Sequence, residues 1–253
     1  MSAPIIELRD LAKAFGDKAV FDGLSLSIRR GETLTILGAS GSGKSVLLKT
    51  IIGLVEPDRG SVFVDGQDLV PLTEAERVPV RRRVSMLFQG GALFDSLSVA
   101  DNVAYPLRHQ RRWSAGEVAA RVAESLAVVG LPETGAMMPA ELSGGMKKRV
   151  ALARAIAAEP DVVLYDEPTT GLDPISTRRI DDLIRSVQER LGITSVVVTH
   201  DLASAFLVSD RIAMLDAGRI RSIEDVAAFR RSSDPVIRAF VDAMRPPAAT
   251  EGP

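Results

Sequence analysis

Apolar and polar positions alternate through the first third of the chain and are interrupted by turn residues. Residues 5–15 (IIELRDLAKAF) and 19–30 (AVFDGLSLSIRR) flank a Gly16-Asp17 turn. Leu24, Leu26 and Ile28 recur at the two-residue period of a half-buried strand. The apolar run TLTILG follows at 33–38. After Gly43 the period changes: Val46, Leu47, Leu48, Ile51, Ile52 and Leu54 make SVLLKTIIGL a helix apolar nearly all round, hence buried. EPDRG at 56–60 stops it. SVFVDGQDL returns to strand, with Val62 and Val64 on one face, Phe63 on the other and an Asp65-Gly66 hairpin turn. Thr73 to about Pro160 reads as mostly helical, with helical spacing clearest over 116–129 and 147–158. VVLY at 162–165 and SVVVT at 195–199 predict strands buried on both faces of a parallel sheet. Between them, 176–191 predicts an amphipathic helix with Ile180, Leu183, Ile184, Val187 and Leu191 on one side. Residues 225–244 predict a C-terminal helical pair, and RPPAATEGP at 245–253 a frayed tail. Strands alternating with helices in this way make a doubly covered α/β protein.

Composition narrows the function classes. Hydrophobic residues are 46% and charged residues 25% of 253, enough to bury a large core. The 31 Lys+Arg against 33 Asp+Glu leave a formal charge of −2, which excludes a generally basic nucleic-acid binder. Cysteine is absent, which removes disulfides, thiolate metal sites and a catalytic thiol and fits a reducing compartment such as the cytosol. No apolar stretch reaches the roughly 18 to 20 residues of a spanning helix, and no basic-then-apolar leader opens the chain. The expectation is a chain that neither crosses a membrane nor is secreted.

Chemistry concentrates at strand ends. Gly38-Ala39-Ser40-Gly41-Ser42-Gly43-Lys44-Ser45 fits G-x-x-x-x-G-K-[ST] between an apolar strand and an apolar helix. Its glycines let successive N–H groups face phosphate oxygens, the helix start adds positive potential, and Lys44 neutralises the β/γ oxygens. Ser45 is placed to ligate Mg²⁺ through its hydroxyl. VVLY runs into Asp166-Glu167-Pro168. Asp166 is the candidate Mg²⁺ holder, and Glu167 the candidate base orienting water at a γ-phosphate. SVVVT runs into His200-Asp201, where His200 is a candidate contact to that phosphate and water.

Taken in order, Gly38 to Ser45, LSGGM at 142–146, VVLYDEP at 162–168, TGLD at 170–173 and His200 resemble the nucleotide-binding domain of an ATP-binding cassette (ABC) transporter, over nearly the whole chain. The resemblance implies an α/β P-loop NTPase fold with a RecA-like core, an antiparallel β subdomain and a helical subdomain. Residues 1–88 and 159–220 would form the ATP-binding core with the β subdomain, 89–158 the helical subdomain, and 221–253 a C-terminal helical segment and flexible tail. ATP and Mg²⁺ are the implied cofactors, with Val46 also against the nucleotide. Ser143, Gly144 and Gly145 open a helix as an anion site. In the family they meet the ATP of a second copy in a head-to-tail homodimer, with Asp173 on the seam. Gln89 matches the family's loop glutamine that contacts Mg²⁺. Phe15 resembles the aromatic that stacks on adenine; an aromatic between Ala14 and Gly16 equally suits the core. Met146 stands where the family commonly has Gln, and Tyr165 at a usually apolar position, read here as core with its hydroxyl satisfied.

The stretch Gln89–Val99 with Asn102–Leu107 and LSGGMKKR is similar to the Mla/Mce-type lipid-transport ATPases. That implies ATP-driven phospholipid transport across the bacterial envelope, with import of another solute such as an amino acid as the alternative. The implied partners are an integral permease, an Mce-domain protein and a small cytoplasmic accessory subunit, with no nucleic acid. The implied place is the cytoplasmic face of the inner membrane. Leu93-Phe94 suits either a permease anchor or subdomain core, and the Arg81–Arg83 and Arg108–Arg112 clusters suit solvated charge better than headgroups.

Overall fold

The computed structural model describes residues 3–110 and 112–243. The alternating N-terminal segments form β1 (Ile6–Phe15) and β2 (Lys18–Ile28), an antiparallel pair, and β3 (Thr33–Leu37), buried at every position. Helix α1 (Lys44–Ile51) follows directly from Gly43. It ends before Leu54 because Gly53 takes a left-handed φ of 65°, so Leu54 is exposed rather than packed. Strands β4 (Arg59–Val64) and β5 (Gln67–Asp68) close the first sheet, ordered β2-β1-β4-β5.

The segment expected to be mostly helical contains α2 (Glu74–Arg81), then a strand, β6 (Val84–Leu87). Four residues are too few for periodicity to separate a strand from a helical turn. Helices α3 (Val99–Gln110), α4 (Ala115–Val128) and α5 (Gly144–Ile156) complete it. The remainder alternates: β7 (Val162–Asp166), α6 (Pro174–Leu191), β8 (Thr194–Thr199), α7 (Leu202–Val208), the hairpin β9 (Arg211–Asp216) and β10 (Arg219–Asp225), then α8 (Val226–Arg231) and α9 (Pro235–Ala243). The expected helical pair is thus present as α8 and α9, and the tail from 245 lies outside the described residues.

The second sheet runs β10-β9-β3-β8-β7-β6, parallel except for edge strand β10. Its two faces carry separate cores. Val162, Leu164, Val196 and Val198 pack with Leu47, Leu48 and Ile51 of α1 and with the first sheet. Val163, Tyr165 and Val197 pack with α3 to α6 through Val103, Leu107, Val150, Ile180 and Ile184. Each fully buried Leu, Ile or Val here contributes about 1.5–3 kcal/mol relative to exposure. Phe229, Ile237 and Val241 of α8 and α9 close a third cluster against Leu37, Ile212 and Met214. Leu191, expected on the buried side of α6, is exposed at the last turn, where Gly192 (φ 65°) ends the helix. Tyr165 is fully buried as expected, but its hydroxyl is not satisfied: neither it nor the Ser195 hydroxyl facing it makes a hydrogen bond, and burial pushes the phenol up. Among the described residues no helix is long and apolar enough to cross a membrane.

Asp181 of α6 is buried against α7, where its Oδ2 accepts from Ser204 Oγ at 2.9 Å and its Oδ1 has no partner. Burial pushes its carboxyl up to about 6; the Ser204 bond opposes the shift and the Asp201 and Asp182 charges add to it. With the folded value above the ordinary 3.8, the native state binds the proton more tightly between about pH 4 and 6, and the ionised carboxylate costs stability above that window. Asp181→Asn keeps an acceptor for Ser204 and removes the charge. The variant should melt several degrees above wild type at pH 8, for a gain of about 1–3 kcal/mol. Calorimetry at pH 8, 6 and 4 should show that advantage shrinking through pH 6 and vanishing near pH 4.

Candidate active site

Strand register assembles the site. Leu37 of β3 pairs with Thr199 of β8, Val198 of β8 with Asp166 of β7, and Tyr165 of β7 with Leu87 of β6. The carboxyl ends of these four parallel strands are therefore nearly level, at the edge where open α/β sheets bind ligands. Gly38–Ser45, His200, Asp166-Glu167 and Gln89 all sit on that edge.

Gly38 leaves β3 so close to the hairpin that a Cβ would lie 2.7 Å from the Leu215 carbonyl oxygen and 2.8 Å from Ser42 Oγ. Gly43 caps α1 at φ 101°, where a Cβ would meet Val20 Cγ1 at 2.6 Å. Only glycine allows this path, which wraps the loop around Lys44. The buried Lys44 ammonium donates to the Gly38 and Ala39 carbonyls at 2.8 and 3.1 Å and lies 3.5 Å from Glu167 Oε1. Ser45 Oγ donates to Asp166 Oδ1 at 2.7 Å, so the loop hydroxyl and the β7 carboxylate meet.

A cavity of about 580 Å³ lies over this edge, lined by Ser40, Gly41, Ser42, Gly43, Lys44, Ser45, Val46, Gln89, Glu167, His200 and the half-exposed Phe15. Glu167 is its most constrained member. It is buried, yet its φ of 48° is left-handed, a conformation costing a non-glycine residue about 1–3 kcal/mol. Its amide donates to the Val198 carbonyl at 2.9 Å, which pins the backbone. Its Oε2 meets His200 Nδ1 at 2.9 Å and accepts from Thr170 Oγ1 at 3.2 Å and Thr199 Oγ1 at 3.4 Å. Strain held by four neighbours fixes one carboxylate direction.

The other sequence-singled residues lie elsewhere. Ser143 caps α5, its Oγ accepting from the Met146 amide at 3.2 Å, and Ser143 and Gly144 are exposed. Asp173 caps α6, accepting from the Ile175 and Ser176 amides at 3.0 Å each; the Ser176 bonds hold its carboxyl below the usual range. Gly145 lies against Ser176, so the starts of α5 and α6 adjoin, beside Ile175, which is 68% exposed. None of Ser143, Gly144, Gly145 or Asp173 lines the Lys44 cavity. Met146 packs on the helical core.

Sequence reading missed Lys18, Ala19 and Val20 of β2 and Ala217-Gly218 of the β9-β10 turn, which complete the cavity wall. The turn's glycine was a usable signal; its flanking strands were not read. Thr170, Thr199 and Lys148, around Glu167, were missed as well. Leu93 and Phe94 divide: Leu93 packs on the helical core, while Phe94 is 41% exposed and meets the Tyr105 ring at a tilt, 4.5 Å between centroids. Arg81 pairs with Glu74 and donates to the Ile52 and Gly53 carbonyls, Arg83 pairs with Asp65 and Asp161, and Arg108 pairs with Asp101. These arginines are locally neutralised; Arg111 of the second cluster lies outside the described residues.

Comparison with known proteins agrees with this geometry. The family model described as "ABC transporter" matches residues 21–170. The chain belongs to the ABC transporter family. This ABC protein is 40% identical over 242 residues to "Intermembrane phospholipid transport system ATP-binding protein MlaF" of Escherichia coli (strain K12), covering 96% of this chain and 90% of the relative. It is 42% identical over 253 residues to "Methionine import ATP-binding protein MetN" of Mesorhizobium japonicum, covering 99% of this chain and 68% of the relative. Among solved structures, a dimeric post-hydrolysis state of the ATP-binding cassette MJ0796 bound to ADP and Pi superposes with a TM-score of 0.80 at 34% identity, over 87% of this chain and 98% of that one. The expected ABC nucleotide-binding fold is therefore the observed one.

Gly43→Ala in this ABC cassette places a Cβ against Val20 at positive φ. Strain of about 1–3 kcal/mol falls on the loop itself, so ATP affinity measured by calorimetric titration should drop about 10- to 100-fold while the far-UV spectrum is retained.

Proposed function

We propose that this chain is the ATP-hydrolysing subunit of an ABC transporter that moves phospholipid through a membrane permease at the inner face of the bacterial inner membrane. The observation carrying the ATPase reading is the convergence of Lys44, Ser45, Glu167 and His200 on one cavity, with Asp166 hydrogen-bonded to Ser45 Oγ. The lipid reading is supported by similarity to MlaF along nearly the full length of both chains. Similarity to MetN supports amino-acid import as the second reading, on the same ATP chemistry.

Amides of Gly41 to Ser45 and the α1 start receive the β- and γ-phosphates, and Lys44 turns from the loop carbonyls to their oxygens. Phe15, in the cavity lining, receives adenine. The hydroxyl and carboxylate of Ser45 and Asp166, 2.7 Å apart, form a hard-oxygen pair, and Gln89 lines the same cavity. This donor set suits Mg²⁺, which takes few protein oxygens beside phosphate and water. Bound there with Ser45, Asp166 and Gln89, Mg²⁺ would neutralise charge on the β- and γ-phosphates.

As phosphates draw Lys44 away, the Glu167 carboxylate loses its 3.5 Å cation neighbour. Glu167 then accepts a proton from water as the water oxygen bonds to the γ-phosphorus and the bridging oxygen departs with ADP. His200 holds Glu167 through Nδ1, which leaves its other ring nitrogen for the γ-phosphate. Ser143, Gly144, Gly145 and Asp173, away from this cavity, serve the nucleotide of a second copy in a head-to-tail homodimer. Phe94, on the loop that Arg154 holds through the Gly91 and Ala92 carbonyls, and Tyr105 of α3 present a tilted aromatic pair to the permease. An Mce-domain protein and a small cytoplasmic accessory subunit complete the proposed assembly.

Lys44→Ala should abolish ATP turnover, and Glu167→Gln should bind ATP and accumulate as a dimer on size-exclusion chromatography. Wild-type phosphate release by Glu167→Gln would remove Glu167 as the base. Mass spectrometry of what co-purifies with tagged Glu167→Gln from gently solubilised membranes separates the substrate classes. A permease with an Mce-domain protein is expected; a permease with a soluble solute-binding protein would overturn the lipid reading and leave the ATPase intact.

A further inference from the structure

Lys148 lies on the second turn of α5, just beyond the Ser143-Gly144-Gly145 start, and is only 7% exposed. No carboxylate forms an ion pair with it among the described residues. Its Nζ instead donates to two backbone carbonyls, Thr170 at 2.8 Å and Glu167 at 3.3 Å. Those carbonyls bracket one tight turn. Within it the Thr170 amide donates to the Glu167 carbonyl at 3.3 Å and the Thr170 hydroxyl to the Glu167 carboxylate at 3.2 Å. The turn carries Glu167 at its left-handed φ and runs on through Leu172, whose amide donates to the Thr169 carbonyl, into the Asp173 cap. Burying an ammonium on neutral carbonyls is unfavourable unless it is well bonded. Burial does lower the lysine's proton affinity, opposed by the Glu167 charge. A buried cation bonded at both ends of a strained turn constrains that turn.

We propose that Lys148 is a positioning residue that ties the start of α5 to the turn carrying Glu167, so that docking of a nucleotide on Ser143–Gly145 sets the aim of the carboxylate in the same protomer. The inference rests on the ATPase reading above. In a head-to-tail dimer the α5 start of one protomer meets one nucleotide while its Glu167 acts on the other. Lys148 is then a direct bonded link between the two sites, reaching Glu167 through the main chain and touching neither nucleotide. It needs no contact with Lys44 or the loop, so ATP binding itself is left alone. Physical adjacency alone does not establish coupling, which is why the test reads cooperativity as well as rate.

The test compares wild type with Lys148→Met, which keeps length and apolar packing but donates nothing, and Lys148→Gln, which keeps amide donors without charge. Steady-state phosphate release is measured against ATP concentration in parallel with melting temperature. Expected for Lys148→Met are a kcat at least tenfold lower, a KM for ATP within threefold of wild type, and a Hill coefficient falling toward 1. Lys148→Gln should recover to within two- to fivefold of the wild-type kcat. Wild-type kcat and Hill coefficient in Lys148→Met would overturn the proposal, and so would a KM that rises in step with the fall in kcat. Should Lys148→Met fail to fold, Lys148→Gln decides: a two- to fivefold lower kcat at unchanged KM supports the link, and an unaltered kcat overturns it. Absence of ATP binding by the wild-type chain would sink the ATPase reading instead, an outcome separate from either.

Discussion

Every candidate catalytic group depends on four parallel strands ending in step. Because β3, β8, β7 and β6 pair in register through Leu37↔Thr199, Val198↔Asp166 and Tyr165↔Leu87, the residues that follow them emerge at one edge. A shift of one position in any pair would exchange its two faces, taking Val196 and Val198 out of the core that holds α1 and turning them toward the other core, among the wrong neighbours. Register is therefore enforced by the two cores, one on each face of the sheet. Packing far from the phosphate loop is what places Ser45 2.7 Å from Asp166, 121 positions later in the chain.

Within that edge the Glu167 carboxylate is the point of highest local cost. A buried acid needs partners and a left-handed non-glycine backbone needs to be held; the same few residues meet both needs. Lys44 and His200 face the two carboxylate oxygens, Thr170 and Thr199 donate to one of them, and the Val198 carbonyl and Lys148 ammonium fix the backbone. The contacts come from five elements or loops, so the direction of this carboxylate reports on how they sit together. A base that is only correctly aimed when its surroundings are correctly assembled is a means of tying hydrolysis to a conformational cycle.

What was readable in the sequence, and what was not, follows from the range of the interactions. The loop Gly38–Ser45 and the acids Asp166-Glu167 announce themselves because their chemistry needs fixed residue types at fixed spacing. Buried strands β3, β7 and β8 showed as apolar runs, and α6 as a 3.6-residue period. Strand β6 did not, since Val84–Leu87 is too short to carry a period and becomes a strand only by pairing with β7. The end of α1 was misplaced because Leu54 continued the apolar pattern, while the backbone at Gly53 had already left the helix. The Ala217-Gly218 turn carried a local signal in its glycine, but its approach to β2, which makes it a cavity wall, did not show. Lys148 beneath Glu167 was invisible for the same reason: a lysine whose partners are main-chain carbonyls about 20 positions away has no local signature. Leu93-Phe94 shows the same limit at a finer scale, since adjacent apolar residues went one to the core and one to the surface.

The separation of the site into two patches carries its own constraint. The first amides of any helix lack intrahelical acceptors, and Ser143 Oγ takes only that of Met146, so the α5 start remains a donor surface suited to an anion. No residue of that surface lines the cavity holding Lys44, and within one protomer the intervening turn from Glu167 to Asp173 keeps them apart. In the proposed homodimer a second copy related by a two-fold axis would resolve this with a single contact, since the same rotation that brings one α5 start to the partner's phosphates brings the partner's to its own. Charge favours the arrangement as well: an ATP anion between a lysine-bearing loop and a helix start is met by positive potential from both sides, and without the nucleotide those like potentials face each other. Association would then be conditional on ATP and reversed by loss of its γ-phosphate, which makes the nucleotide both the fuel and the adhesive.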